Sequence, residues 1–242
     1  MIPIVLASVL IATLGCGKPP IEPLASHVVN GEDTSLDERD SKWRHTCGGA
    51  LVSANWVMSF LSYRVFVGKH NLVEEEADSQ DILPEKIIVH EKSNPIFVAF
   101  SNDIAMIKLS QHVPVNDHVR LGCIPAAGTL LPNLYPCYIT GWGRLYSKFF
   151  IVHTYCMCDE NPMVVILTRT FAAGAGGGGG CGNSGGTLNC KNSEGVWEVH
   201  GIASFVSSLG CNFVKKPTVF TRVFAFNGWI DKVNRTEHRQ KI

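Results

Sequence analysis

The stretch with the clearest chemical content is Cys181-Gly182-Asn183-Ser184-Gly185-Gly186. Glycines on both sides of a serine permit a tight backbone turn. They also let a substrate approach the hydroxyl and the neighbouring N–H groups. That is the layout of a nucleophile beside an oxyanion hole. Taken alone, a glycine-flanked serine is more often a plain turn. The preceding run, Ala172 to Gly180, is almost all glycine and alanine. A phosphate-cradling loop would need Gly-Lys-Ser/Thr after it, and Cys-Gly-Asn-Ser follows instead. The run reads as a surface loop that costs chain entropy on folding. Cys156 and Cys158, with His153 nearby, offer half a zinc site at most. Their spacing is not the usual one and no second half is present.

Six further blocks change the reading of Ser184. In chain order they are Val28-Val29-Asn30-Gly31, His45-Thr46-Cys47-Gly48-Gly49-Ala50-Leu51, Asn102-Asp103-Ile104-Ala105, Pro136-Cys137-Tyr138-Ile139-Thr140-Gly141-Trp142-Gly143-Arg144, Ser204-Phe205-Val206-Ser207 with Gly210-Cys211-Asn212, and Lys216-Pro217-Thr218-Val219-Phe220. Together with Asn183-Ser184-Gly185-Gly186 they resemble the chymotrypsin-like (trypsin-fold) serine proteases, elastase branch. The resemblance spans roughly residues 27 to 233. It implies an all-β fold of two packed six-stranded Greek-key barrels with a C-terminal helix. It also implies peptide-bond hydrolysis after small apolar residues. Ser184 would be the nucleophile and Asp103 the residue that orients the base. The N–H groups of Gly182 and Ser184 would form the oxyanion hole. Ser204, Phe205, Val206 and Thr218 would line the substrate pocket, with Val206 narrowing it. The implied disulfides are Cys16–Cys123, Cys137–Cys190 and Cys181–Cys211. An acidic loop resembling a calcium loop contains Glu74 and Glu76, hard oxygen donors; no other cofactor is implied.

The departures from this pattern matter as much as the matches. The family carries its catalytic histidine, followed by a cysteine, shortly after the Cys-Gly-Gly block. Here Trp56-Val57-Met58-Ser59-Phe60-Leu61-Ser62 runs straight to Tyr63-Arg64-Val65, and no histidine lies between Thr46 and Lys69. Resemblance places His45, His70 and His90 away from the base position. Asn183 stands where the family has an aspartate that pairs with the new N-terminal ammonium. His27, not Arg or Lys, precedes Val28. The strand expected before Cys47 is replaced by the charged segment Ser35 to Lys42, so the first barrel is expected to be incomplete. A serine without its base is a poor nucleophile at neutral pH. The expectation is an impaired or inactive homologue, with an active elastase-type endopeptidase as the alternative.

The elements that must position these residues are short. Ala50 to Trp56, Tyr63 to Val67, Lys86 to His90, Ile104 to Leu109, Tyr138 to Trp142, Trp197 to Phe205 and Thr218 to Val223 are β-branched or aromatic runs between Gly, Pro, Asn and Asp. Phe226, Trp229, Ile230 and Val233 fall at helical spacing.

The whole chain has 242 residues, a net charge of +0 and 45% apolar residues. That suffices for a sizeable core and offers no electrostatic attraction for nucleic acid or anionic membranes. Ile4 to Leu14 has the length of a signal-peptide apolar region, with Thr13 and Gly15 at its end small enough for a signal-peptidase site. The expected layout is a signal peptide over 1–15, a propeptide-like segment over 16–27, a protease domain over 28–236 and a tail over 237–242. Secretion, a monomeric state and a protein or peptide substrate follow as expectations. Nine cysteines suit an oxidising compartment, and the odd number leaves at least one thiol without an internal partner. Asn234-Arg235-Thr236 is a glycosylation sequon.

Overall fold

The computed structural model describes residues 16, 47–59, 64–69, 76–77, 79–93, 102–116, 118–132, 135–141, 152–158, 170–173, 185–205 and 218–239. Two β-rich halves and one helix make up this part of the chain. The first half contains β1 (Gly49–Ser53), β2 (Trp56–Ser59), β3 (Val65–Val67), β4 (Gln80–Ile82), β5 (Pro84–Val89) and β6 (Ala105–Leu109). The second contains β7 (Tyr135–Gly141), β8 (Val152–Cys158), β9 (Thr170–Ala173), β10 (Thr187–Lys191), β11 (Trp197–Phe205) and β12 (Thr218–Arg222). A 3₁₀ turn, Val223–Phe226, leads into helix α1, Asn227–Arg239.

All described pairings of named strands are antiparallel. The first half divides into a four-stranded sheet, β1-β2-β6-β5, and a two-stranded ribbon, β3-β4. Its central strands are buried along their whole length: Trp56-Val57-Met58-Ser59 in β2 and Ala105 to Leu109 in β6. Burial on both faces explains why they read as unbroken apolar runs rather than alternating ones. Lys108 is the exception in β6, and its buried ammonium is paired with Glu85 Oε1 at 2.9 Å. The run from Ala50 to Trp56 is not one strand. Ala54 and Asn55 turn the chain, and Ser53 pairs with Trp56. At Gly49 a Cβ would fall 3.0 Å from Val57 Cγ1 and 3.1 Å from the Met58 carbonyl oxygen, so a side chain there would push β1 off β2.

The second half is one six-stranded sheet in the order β8-β7-β10-β11-β12-β9, and its edge strands β8 and β9 approach one another. The sheet therefore curls toward a barrel. Disulfides join Cys137 to Cys190 and Cys16 to Cys123. The first spans directly opposed positions of β7 and β10.

One apolar cluster binds the halves together. Trp56, Met58, Ile104 and Met106 from the first sheet pack with Val199, Ile202, Val223, Phe226, Ile230 and Val233. Phe226, Ile230 and Val233 form the buried stripe of the helical segment, as their spacing predicts. The helix extends to Arg239, past the expected domain end at 236. A second seam lies between the sheets, where Gly122 N donates to Leu51 O at 2.8 Å and Val199 N donates to Cys123 O at 2.8 Å.

Candidate active site

The junction between the two halves brings Asp103 and Ser204 together. Asp103 immediately precedes β6 by two residues and is 3% exposed. Its carboxylate accepts a hydrogen bond from Ser204 Oγ, in β11 of the other half. Its backbone is held as firmly. Thr221 Oγ1, in β12, donates to the Asp103 carbonyl oxygen at 2.8 Å. The neighbouring Asn102 donates through Nδ2 to Lys92 O at 2.9 Å. Burial raises the Asp103 carboxyl above its ordinary range, and the Ser204 hydrogen bond opposes that shift. The residue is thus fixed by β11 through its carboxylate and by β12 through its backbone, both more than 100 positions away in sequence.

Gly185 and Gly186, the glycines that follow the serine in its motif, meet this junction from one side. Ser184, Gly182 and Asn183 lie outside the described residues, as do Cys181, Cys211, Val206 and Glu74. Gly185 and Gly186 are described. Gly185 has φ of 75°, a conformation that favours glycine. Gly185 N donates to Ala203 O at 2.9 Å, and Ala203 N donates to Gly186 O at 2.8 Å. The residue after Ser184 is therefore pinned beside Ala203, next in sequence to Ser204. Phe205 and Thr218 belong to the paired strands β11 and β12, where Phe205 opposes Val219.

The remaining side is approached from β2. Ser59, its last residue, pairs with Ala105, two positions from Asp103. Ser59 Oγ donates to Gly48 O at 2.6 Å, closing the end of the β1–β2 hairpin. The residues that follow are Phe60, Leu61, Ser62 and Tyr63, none of which carries an imidazole; they lie outside the described residues.

The described histidine side chains have other engagements. His90 Nδ1 accepts from Lys92 N at 3.1 Å, so that nitrogen carries no proton. Its ring packs 5.2 Å from Phe226 and 5.0 Å from Trp229, centroid to centroid. This is part of the helix-docking surface, where Trp229 Nε1 also donates to Glu91 Oε2 at 2.9 Å. Buried His200 lies with Nε2 3.0 Å from Glu198 Oε2, and burial lowers its proton affinity, against the pull of Glu198. His112 and His118 are exposed. Among the described residues no three His, Cys, Asp or Glu side chains gather as a metal set. Glu76 Oε2 lies 3.9 Å from Lys69 Nζ.

Sequence reasoning assigned Ser204 to the pocket wall and missed its bond to Asp103; Thr221 was missed altogether. Each sits more than 100 positions from Asp103, so no local pattern could have announced the contact.

A Trypsin family model matches residues 29–230, and the chain belongs to the trypsin family of serine endopeptidases. Within it the chain lies in the chymotrypsin-like elastase branch. It is 44% identical to Bos taurus Chymotrypsin-C, across 90% of this chain and 92% of that protein. It is 41% identical to Rattus norvegicus Chymotrypsin-C, across 94% and 97%. It is also 41% identical to Homo sapiens Chymotrypsin-like elastase family member 3A, across 94% and 96%. The last two matches run over 261 residues, more than this chain contains. Blocks of those relatives therefore have no counterpart here.

Proposed function

We propose that this protein is a secreted elastase-type serine endopeptidase homologue with little or no peptidase activity. One observation carries the reading. The sequence holds no histidine between Ser59, the last residue of β2, and His70. Asp103 keeps the hydrogen bond to Ser204 that holds it in place, yet no imidazole follows β2 for it to orient. In a triad enzyme the loss of one member costs roughly 10⁴- to 10⁶-fold in rate. Asn183 and His27 weaken activation further: an amide cannot pair electrostatically with an ammonium, and trypsin does not cut after histidine. Calcium binding near Glu74 and Glu76 is part of the same inherited reading. Its test is whether added calcium raises the melting temperature.

A second reading, an active endopeptidase taking protein or peptide substrates, is favoured by the retained Ser184, Asp103, Ser204 and Gly185. Treatment of the purified, folded protein with a fluorophosphonate probe, before and after trypsin, separates the two. A Ser184→Ala variant is the control. No Ser184-dependent labelling supports the non-catalytic homologue. Labelling that disappears with Ser184→Ala overturns it and directs the search for a base to the remaining histidines.

A further inference from the structure

The chain contains one Asn-X-Ser/Thr sequon, Asn234-Arg235-Thr236. Such a sequon accepts N-linked glycan and belongs on an accessible surface loop. Here it lies inside helix α1. Arg235 and Thr236 are exposed, but Asn234 is half-buried. Its Oδ1 is buried with no hydrogen-bond partner among the described residues. Thr236 Oγ1 donates to Lys232 O at 2.8 Å, one turn back in the same helix. Residues two apart on a helix do not face each other. The docked helix therefore separates the asparagine amide from the threonine hydroxyl and turns part of that amide away from solvent.

We propose that Asn234 is a site of N-linked glycosylation that is open only until α1 docks. The inference rests on the secreted reading above, because the modification belongs to the secretory route. In the transfer, Asn234 Nδ2 bonds to the anomeric carbon of an oligosaccharide carried on a lipid diphosphate. The bond from that carbon to the diphosphate oxygen breaks. Its electron pair leaves with the lipid diphosphate, and one amide proton passes to solvent. The make-up of α1 keeps the site open for a time. Its first turn holds no acidic side chain to complement the helix dipole, and Gly228 stands there. A helix of 13 residues is marginal in water until its apolar stripe is covered. That cover needs both halves. Ile230 and Val233 pack with Trp56 and Met58 of the first half and with Val199 and Ile202 of the second. Asn227 Nδ2 donates to Pro125 O, and Trp229 Nε1 to Glu91 Oε2, only once the helix is seated. The sequon thus stays in non-helical chain until the halves meet, and the docked helix then withdraws it. Occupancy of Asn234 reports how fast α1 docks.

The test translates the full chain in the presence of secretory microsomes. Added protease removes chains left outside, and the protected chains are compared with and without peptide-N-glycosidase. The protected wild type should divide into a glycosylated and an unglycosylated band. The glycosidase should merge them and leave an aspartate in place of Asn234. Asn234→Gln and Thr236→Ala should each lose the upper band, whether or not they fold. Met58→Ala changes no residue of α1 but loosens the cluster that receives it, so the glycosylated fraction should rise above that of the wild type. A variant that fails to fold should raise it further. Protected wild type without glycan overturns the proposal and leaves secretion standing. Equal fractions in wild type and Met58→Ala, full occupancy of both included, overturn the dependence on docking. Chains that are never protected overturn the secreted reading, and this inference with it.

Discussion

Asp103 is a carboxyl taken out of water and given a single neutral hydroxyl donor, Ser204, as its side-chain hydrogen bond. Desolvation outweighs that bond, so its proton affinity is raised. For an acid shifted this way, the folded state holds a proton that the unfolded state has released. Its contribution to stability is present below the unfolded value and declines as pH rises through the folded one. Asp103→Asn preserves shape and removes the charge, while the Ser204 hydroxyl can reorient toward the amide. We expect this variant to be the more stable protein at pH 7 and to match the parent near pH 3. Thermal melts between those limits check it; a parent more stable at pH 7 would contradict the account. Ser204→Ala acts in the opposite sense. It leaves a buried carboxylate without its donor and should cost about 1–3 kcal/mol in urea unfolding.

At the level of elements, helix α1 and strand β11 carry the consequences. Ile230 is 1% exposed inside the cluster that joins both halves. Truncation to alanine removes its contacts and leaves a cavity, and about 2–5 kcal/mol should be lost on chemical denaturation. On β11, His200 is buried beside Glu198, with Arg222 opposing protonation and Glu198 favouring it. Burial dominates and lowers its proton affinity. The unfolded histidine, near its ordinary value of about 6.5, therefore binds more protons than the folded one below neutrality. Stability should fall as pH drops from 7 to 5, and His200→Gln should flatten that slope. A slope unchanged by the substitution would assign the acid sensitivity elsewhere.

Across the whole molecule, the halves share one apolar cluster and one seam of backbone hydrogen bonds, at Gly122–Leu51 and Val199–Cys123. Each half also has an apolar cluster of its own, around Ile82 and Ile107 in the first and Leu188 and Phe220 in the second, but the shared cluster is the largest set of buried contacts either half would lose, so neither half should melt alone. Calorimetry should show one transition, and Met58→Ala and Ile202→Ala, on opposite sides of the cluster, should both lower it. Two resolved transitions would show that the halves are energetically independent. Each disulfide closes a long loop, across 107 and 53 positions, and each should contribute roughly 2–4 kcal/mol.

The blocks around Cys47, Asp103, Cys137, Ser184 and Thr218 were enough to identify the family. The lack of a histidine after β2 is a property of the sequence alone. Strand β6 was visible because burial leaves an apolar run interrupted only at Lys108, and β11 because apolar and aromatic residues recur from Trp197 to Phe205. The helix was visible because Phe226, Ile230 and Val233 repeat along one face. Strands β4, β8, β9 and β10 were not marked by any such run: they are short or polar, and pairing with neighbours, not intrinsic preference, makes them strands. Only tertiary structure could join Ser204 and Thr221 to Asp103, or set Cys137 opposite Cys190. Those relations depend on sheet register between segments far apart in the chain, and register is set by the packing of whole faces rather than by any local sequence.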